Sequence, residues 1–199
     1  MQPRSLTTRT IQVGTRLLVD WMPPDVRLES FTLLFQKEVA LRICATVGSS
    51  SYGRLSVLVQ AWAAPRLLFS LGPKHFTPPP KVDTAVLSIV PYKPAERLIS
   101  PALEASLRTV TAAAFQQRRK MLRSSLAKIS GEATVSACIK DRPRERGLIG
   151  REGAEALCAA SGVDASLRAG ALPVEKFIAL AEAYHQIYVT EATSAAAAG

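Results

Sequence analysis

The segment Phe76-Thr77-Pro78-Pro79-Pro80-Lys81-Val82 has residue types suited to holding a flat ligand. Consecutive prolines lack a backbone N–H and have a fixed φ angle, so they cannot continue a helix or a central strand. They come shortly before Thr84 to Val90, a run typical of a strand. Such a rigid segment could hold the Phe76 ring at the end of a sheet, where it could stack on a nucleobase. Alternatively, Phe76 only closes the loop against the core, and the residues alone do not decide between the two.

Motifs for other chemistry are missing from the sequence. Neither His75 nor His185 has a nucleophile beside it, and there is no GxSxG, GxGxxG or P-loop pattern. Asp83 and Glu38 could serve as catalytic acids, but only as any carboxylate could, because nothing in the sequence around them indicates that role. The residues therefore favour recognition over acid–base or nucleophilic catalysis.

The cysteines, Cys44, Cys138 and Cys158, are odd in number and far apart, without a CxxC pair or a neighbouring histidine. This pattern predicts reduced, mostly buried thiols in a cytosolic protein, and neither a disulfide framework nor a metal site. No apolar run approaches the length of a membrane span, so we expect no membrane partner.

The charge of the chain favours an acidic partner. Its net charge is +9, which is more often matched by nucleic acid than by an anionic membrane, although a merely basic protein is the alternative. Residues 116–146 contain nine Lys or Arg and three Asp or Glu. The pattern puts Arg119, Lys120 and Arg123 on one side of an apolar helical stripe. A solvated face would look similar, but the local excess of cations favours a phosphate-binding surface.

Up to residue 92, apolar runs of strand length alternate with helical patterns, in the order helix 14–22, strand 31–35, helix 55–62, strand 67–71, loop and strand 84–90. Val39, Leu41 and Ile43 could also form a short helix directly after the first strand. This alternation predicts a layered α/β fold. We expect the strand Phe31–Phe35 to be buried on both faces and Pro65 to end the preceding helix. Because no helix fits between the last two strands, they should pair antiparallel.

From Pro101 to Tyr188 no convincing strand is found, and four helical stripes predict a small all-α domain. The stripes are Leu103/Leu107/Val110/Ala114, Phe115/Leu122/Leu126/Ile129, Ala154/Leu157/Cys158 and Phe177/Leu180/Ala181/Tyr184. The predicted divisions are an aberrant or disordered N-terminus at 1–13, an α/β part at 14–95, a helical domain at 96–190 and a disordered tail at 191–199. A short organellar transit peptide is the alternative for the N-terminus.

Four blocks of the sequence resemble successive blocks of the ribosomal RNA adenine dimethyltransferases. They are LLFQKEVALRI, YGRLSVLVQ, HFTPPPKVDTAV and AFQQRRKMLRSSL, and the ending GVDASLRAGALPVEKFIALA is similar to that family's last helices. The resemblance covers roughly residues 14–188. This family uses S-adenosyl-L-methionine to dimethylate N6 of two adjacent adenines near the 3′ end of small-subunit rRNA. Macrolide-resistance methyltransferases share the fold, but the triple proline and QQRRKMLR fit the first group better.

The resemblance implies the C-terminal half of a Rossmann-like class I methyltransferase sheet, followed by a small all-α domain. It implies that Phe76 stacks on the target adenine and that Pro78 and Pro79 shape the pocket. The implied RNA-binding residues are Lys81, Arg54, Arg118, Arg119, Lys120 and Arg123. For Lys81 and Arg54, plain surface charge is the alternative. The implied partner is small-subunit rRNA in the precursor of the 30S subunit, bound by a cytoplasmic monomer.

The sequence departs from the family where the methyl donor binds. The family's glycine-rich turn, the acidic residues after its next strands and its Asn-Leu-Pro-Tyr tetrapeptide are not matched. The tetrapeptide and the Asn that follows it should fall on Thr8-Arg9-Thr10-Ile11-Gln12. We therefore expect an N-terminally truncated or misassembled enzyme that neither binds S-adenosyl-L-methionine nor methylates alone. The alternatives are a non-catalytic rRNA- or ribosome-binding protein and a non-functional, marginally folded fragment with exposed strand edges.

Overall fold

The computed structural model describes residues 29–129 and 149–190. Contacts divide the chain into two compact units, Met1–Leu98 and Ile99–Gly199. The first contains strands Phe31–Gln36 (β1), Ala63–Leu71 (β2) and Thr84–Pro91 (β3) with helices Lys37–Ile43 (α1) and Arg54–Gln60 (α2). The second contains helices Glu104–Gln116 (α3), Leu122–Leu126 (α4), Gly150–Ala160 (α5) and Val174–Tyr184 (α6), and a π-helix at His185–Thr190. The predicted functional division at residue 95 stays a prediction.

The strands form a small antiparallel sheet with β3 in the centre, in the order β1-β3-β2. Leu87 of β3 lies opposite Leu33 of β1 and Leu67 of β2. The predicted α/β class of the first part and the antiparallel pairing of its last two strands are therefore confirmed. The pairing brings the end of β2 and the start of β3 to the same edge of the sheet, which places the proline-rich connection there.

One face of this sheet is covered by the two helices. Alternate residues of β3, such as Leu87 and Ile89, are buried, as the two-residue period of a strand requires. Two hydrogen bonds join the helices. The Ser56 hydroxyl donates to the Arg42 carbonyl, and the Gln60 side-chain amide donates to the Ile43 carbonyl at 2.9 Å. These bonds satisfy the carbonyl groups at the end of α1, so the helix can stop there without a polar penalty.

Two expectations for this unit are wrong. In β1 only Phe31 and Phe35 are buried, while Thr32 is exposed, so the strand is half-buried and not covered on both faces. Helix α2 ends at Gln60, well before Pro65, and Pro65 lies inside β2. A proline fits there because β2 lies at the edge of the described sheet, where an N–H on the outer side has no strand to bond.

The second unit is helical over its described residues, as predicted. Its core joins α3 to α6 through buried Leu107, Val110 and Leu180, and the rings of Phe115 and Phe177 stack with centroids 5.3 Å apart. Phe115 belongs to α3, however, so the expected second helix does not begin there. The backbone leaves the helix at Gln117 and helix α4 starts only at Leu122.

Several predicted features lie outside the described residues: the helix at 14–22, the N-terminal and C-terminal segments, Cys138 and the basic residues of 130–148. Cys44 and Cys158 are free thiols. Within residues 29–129 and 149–190, no group of three or more His, Cys, Asp or Glu side chains is arranged to hold a metal ion. None of the helices in those ranges is both long and apolar enough to cross a bilayer.

Candidate functional site

Residues 72–83, between β2 and β3, form what we call the proline loop. It opens with a 3-10 turn at Pro73–His75, and the Phe76 N–H donates to the Pro73 carbonyl at 3.1 Å. A hydrogen bond therefore ties the backbone of Phe76 to the 3-10 turn, and the segment that follows is restricted by Pro78 to Pro80, with a cis bond between Thr77 and Pro78. The Phe76 ring is half-buried, so part of its surface stays accessible.

The base of the proline loop is fastened to both neighbouring strands. The Thr84 hydroxyl donates to the Leu71 carbonyl at 3.2 Å, which closes the β2 side. On the β1 side, the Lys37 N–H donates to the Asp83 carbonyl at 2.9 Å, and the Lys37 ammonium lies 3.4 Å from the Asp83 carboxylate. The sequence did not single out Lys37. The sequence shows a cation directly after one strand and an acid directly before another. This pattern predicts an ion pair only if the two strands are known to be neighbours.

The structure places the other predicted residues of this unit at two separate locations. Lys81, Pro78 and Pro79 are exposed on the proline loop with Phe76. Arg54 is the first residue of α2, whose Ser56 bonds the end of α1, whereas the proline loop is fastened to the start of α1 at Lys37. Arg54 therefore lies toward the other end of α1, about 10 Å along a seven-residue helix. His75 is the exposed last residue of the 3-10 turn.

Three predicted basic residues of the second unit, Arg118, Arg119 and Lys120, lie in a turn and not along a helix. Residues 117–121, which we call the basic turn, connect α3 to α4, and the Lys120 N–H donates to the Gln117 carbonyl at 2.8 Å. Arg118, Arg119 and Lys120 are all exposed in this turn. Three adjacent cations include no apolar residue, so a helix that continued through them would have no apolar face to bury there. Cations are also favourable beside the C-terminus of α3, where the helix dipole is negative. The turn therefore directs three charges into solvent at one point.

A second segment, residues 163–168, runs beside the basic turn, and we call it the return loop. Helix α5 ends in a reversal at Gly162, whose φ of 62° favours glycine, and the Val163 N–H donates to the Cys158 carbonyl at 2.9 Å. The reversed chain then bonds back to the start of α4. The Leu122 N–H donates to the Leu167 carbonyl at 2.8 Å, and the Arg123 N–H to the Ala165 carbonyl at 3.0 Å.

This pairing adds a cation that the sequence reasoning missed. Met121 and Arg168 face each other in an isolated antiparallel bridge, so exposed Arg168 joins the cations of the basic turn. Arg123, in the first turn of α4, is half-buried beside them. The only hint in the sequence was the presence of Arg168 in the block similar to the family's C-terminal helices. Its position beside Met121 needed the tertiary fold.

Two ionisable groups at or near the return loop have shifted pKa values. The pKa of the Asp164 carboxyl is lowered, first by hydrogen bonds from the backbone and side chain of Ser166 and further by the charge of Arg123. The bond from the Ser166 N–H is 2.8 Å long and closes a short turn that shapes the loop. Burial raises the pKa of the Cys158 thiol to about 11, and the carboxylates of Asp164 and Glu155 add to the shift.

Comparison with known proteins identifies the family of this chain. A model of ribosomal RNA adenine dimethylases matches residues 7–159. The chain belongs to this family. The family predicted from the four sequence blocks is thus confirmed. Both the proline loop and the basic turn lie inside the matched range.

Curated relatives in this family share the name "Ribosomal RNA small subunit methyltransferase A". The chain is 42% identical to the one from Rhodospirillum rubrum over 90% of its own length and 54% of the relative's. It is 41% identical to that of Phenylobacterium zucineum over 86% of its length and 51% of the relative's. For Gluconobacter oxydans the values are 52% identity, 60% of this chain and 39% of the relative. The chain thus spans about half the length of the curated relatives it matches.

Solved structures share the fold. A dimethyladenosine transferase from Plasmodium falciparum is similar with a TM-score of 0.69 at 20% identity, covering 90% of this chain and 65% of the other. The 23S rRNA methyltransferase ErmE is similar with a TM-score of 0.53 at 20% identity, covering 88% of this chain and 62% of the other. An α/β fold with a small antiparallel sheet and several helices is therefore shared with rRNA methyltransferases.

The described residues do not fit a methyl donor. A nucleotide-like group is usually cradled by a glycine-rich loop between a strand and a helix. In the first unit β1 passes directly into α1 at Gln36–Lys37, with no loop between them. Gly48 and Gly53 lie between two helices instead, and Gly72 leads into the proline loop. Residues 29–129 and 149–190 thus contain no such cradle.

Proposed function

We propose that this chain is the C-terminal, RNA-facing part of an rRNA adenine N6-dimethyltransferase that acts on two adjacent adenines near the 3′ end of small-subunit rRNA. In this proposal the first unit is the second half of a Rossmann-like class I methyltransferase sheet, and the second unit is a helical RNA-binding domain. Family membership and the shared name of the relatives support it. The net charge of +9 supports an RNA partner.

The observation that carries this proposal is the placement of half-buried Phe76 between a hydrogen-bonded 3-10 turn and three prolines. An adenine must leave its stack before its amine can react, and the flipped base needs a flat partner that does not move. Phe76 lies between a hydrogen-bonded 3-10 turn and the prolines, on a loop fastened at its base by Lys37 and Thr84. In the proposed complex its ring stacks on the target adenine, and Pro78 and Pro79 limit where the base can lie.

The cations have a separate task in this proposal. Arg118, Arg119 and Lys120 in the basic turn, with Arg123 beside them, bind rRNA phosphates and orient the substrate. Lys81 contacts the RNA close to the flipped base, and Arg54 contacts it at the other end of α1. The partner is small-subunit rRNA in the 30S precursor, bound by a monomer in the cytoplasm.

Membership of the family implies S-adenosyl-L-methionine as the methyl donor. Because the described residues do not form its cradle, we assign them no part in donor binding and propose that this chain alone neither binds the donor nor methylates. Titration calorimetry with S-adenosyl-L-methionine should show no heat of binding. Binding at micromolar concentrations of the donor would contradict this part of the proposal.

The stacking role is tested by binding of a 3′-terminal small-subunit rRNA fragment to Phe76→Ala. Loss of a stacked base costs about 1–3 kcal/mol, so affinity should fall about 5- to 150-fold. Phe69→Ala is the matched control, because that ring is 53% exposed in the same unit but lies on β2. With abasic sites in place of the two adenines, wild type and Phe76→Ala should bind equally. An equal loss on both RNAs would mean that Phe76 only supports the fold.

A non-catalytic rRNA- or ribosome-binding protein is the second candidate, favoured because residues 29–129 and 149–190 contain no donor cradle. It predicts the same salt-dependent binding, but an affinity that does not depend on Phe76 or on the two adenines. A third reading, a marginally folded fragment without function, predicts a broad, non-cooperative thermal transition for the isolated chain. A single sharp transition would exclude that reading.

A further inference from the structure

The two faces of the sheet in the first unit differ in burial. On the face covered by the helices, Leu87 and Ile89 are fully buried. On the other face, the strand register puts Leu34 of β1, Val86 of β3 and Phe69 of β2 directly opposite one another. Leu34 and Val86 are only half-buried, and Phe69 is 53% exposed. We call these three side chains the open row.

The two edges of the described sheet differ as well. Strand β2 has three features that keep an edge from pairing with another chain: Pro65, the charge of Arg66 and an irregular register between Leu67 and Phe69. Strand β1, Phe31–Gln36, contains no proline and no charged residue, and its register with β3 is unbroken. It therefore has the composition of an interior strand, although it lies at the edge of the described sheet.

The burial of β1 is incomplete in the same place. Its apolar run from Phe31 to Phe35 is typical of a strand buried on both faces, yet Leu33 and Leu34 are only half-buried. Leu34 belongs to the open row and to the open edge, so the two features form one continuous surface. A partner that fits this surface adds a strand beside β1 and covers the open row with a second layer, as a strand–helix unit does.

We propose that the open row and the outer edge of β1 bind the part of the dimethylase fold that this chain does not match. This inference rests on the proposed function and names a polypeptide partner for the first unit. The match covers 54% of the Rhodospirillum rubrum relative, so the rest of that protein has no counterpart in it. If the family's donor is bound, its cradle must come from outside the described residues, and such a cradle is built between a strand and a helix. A second copy of this chain fits less well, because each copy has a net charge of +9.

The experiment co-expresses the full chain with the unmatched part of the Rhodospirillum rubrum relative as a separate polypeptide. Size-exclusion chromatography with light scattering should show a 1:1 complex. Leu34→Lys should weaken the association by more than about tenfold, because the lysine charge would be buried without a partner. Leu41→Lys is the matched control, since Leu41 is 43% exposed on α1, and it should leave the association unchanged.

Phe69→Lys tests the same row at a position that is exposed in the isolated chain. It should weaken the association to a similar degree while leaving the thermal transition of the isolated chain unchanged. No complex with the wild-type chain, or a complex that neither Leu34→Lys nor Phe69→Lys weakens, overturns the inference.

Two other occupants of the open row give different results. A homodimer that Phe69→Lys dissociates, without a complex, would mean that a second copy covers the row. A lowered thermal midpoint of the isolated Phe69→Lys chain, without a complex, would mean that residues 1–28 of the chain itself cover it. Either result overturns the inference, while Phe76-dependent RNA binding by the chain alone would leave the proposed function intact. A complex that forms but binds no S-adenosyl-L-methionine contradicts the proposed function and leaves the docking surface intact.

Discussion

Lys37 holds Asp83 through both its backbone and its side chain. The Lys37 N–H donates to the Asp83 carbonyl at 2.9 Å, and its ammonium lies 3.4 Å from the Asp83 carboxylate. Lys37 begins α1 directly after β1, and Asp83 ends the proline loop directly before β3. The antiparallel pairing of Gln36 with Thr84 puts these neighbours side by side. The strand register therefore determines where the loop that carries Phe76 is anchored.

Removing the ion pair should have a small effect, because both side chains are about half exposed, at 46% and 50%. Lys37→Ala or Asp83→Ala should lower the free energy of unfolding by about 0.2–1 kcal/mol, since the backbone hydrogen bond remains. Urea unfolding measures this. The difference from wild type should shrink at 1 M NaCl, and the swap Lys37→Asp with Asp83→Lys should restore part of the loss. A loss that is unaffected by salt would mean that the pair acts through packing.

Truncation in the centre of the sheet should be far more costly. Leu87 is fully buried on β3, so Leu87→Ala should lower the free energy of unfolding by about 2–5 kcal/mol through lost transfer energy and a cavity. Leu68→Ala, at a position 47% exposed on β2, should change it by less than about 0.5 kcal/mol. Urea unfolding of both variants gives the comparison. Equal effects would contradict the assignment of the core to the face of β3 that carries Leu87.

The Asp164 carboxyl should titrate below its ordinary pKa of 3.8. Because its pKa is lowered in the folded state, its contribution to stability is present above the unfolded pKa and is lost as the pH falls through the folded one. NMR titration of the side-chain carbon measures the midpoint. Ser166→Ala should raise that midpoint part of the way, and Ser166→Pro, which also removes the N–H donor, should raise it further. A midpoint that neither variant moves would exclude the hydrogen bonds as the cause.

The Cys158 thiol should make the protein less stable in alkali. Its pKa is raised from 9.0 to about 11, so the folded state keeps a proton that the unfolded state loses. Its contribution to stability is therefore complete below pH 9 and is lost as the pH rises toward 11. Denaturant midpoints at pH 8, 9 and 10 should fall more steeply for wild type than for Cys158→Ala. Parallel curves for the two proteins would contradict the shift.

Local patterns predicted most of the regular elements. The alternation from Thr84 onward identified β3, and the i, i+3 and i+4 spacing of apolar residues identified α2, α5 and α6, because these signals depend only on near neighbours. Phe76 was singled out because proline restricts its own backbone wherever it occurs. The family, too, was visible in four blocks of the sequence before any fold was known.

Predictions failed where distant residues decide the outcome. Pro65 signalled the end of a helix, but it is tolerated inside β2 because that strand lies at the edge of the described sheet. The stripe from Phe115 to Ile129 suggested one helix, yet the cations between them form a turn. The start of α4, directly after that turn, is hydrogen-bonded to the return loop, and no short-range pattern in the sequence predicts this pairing.

By itself, the sequence determined the fold class, the rigid proline loop with Phe76 and the excess of positive charge, since these follow from each residue's own backbone limits and from local periodicity. Only the tertiary structure decided that Lys37 anchors Asp83, that Arg168 lies opposite Met121 and that the Leu167 carbonyl accepts from Leu122. Those neighbours depend on strand register and on the reversal at Gly162, which are set by packing between segments far apart in the chain.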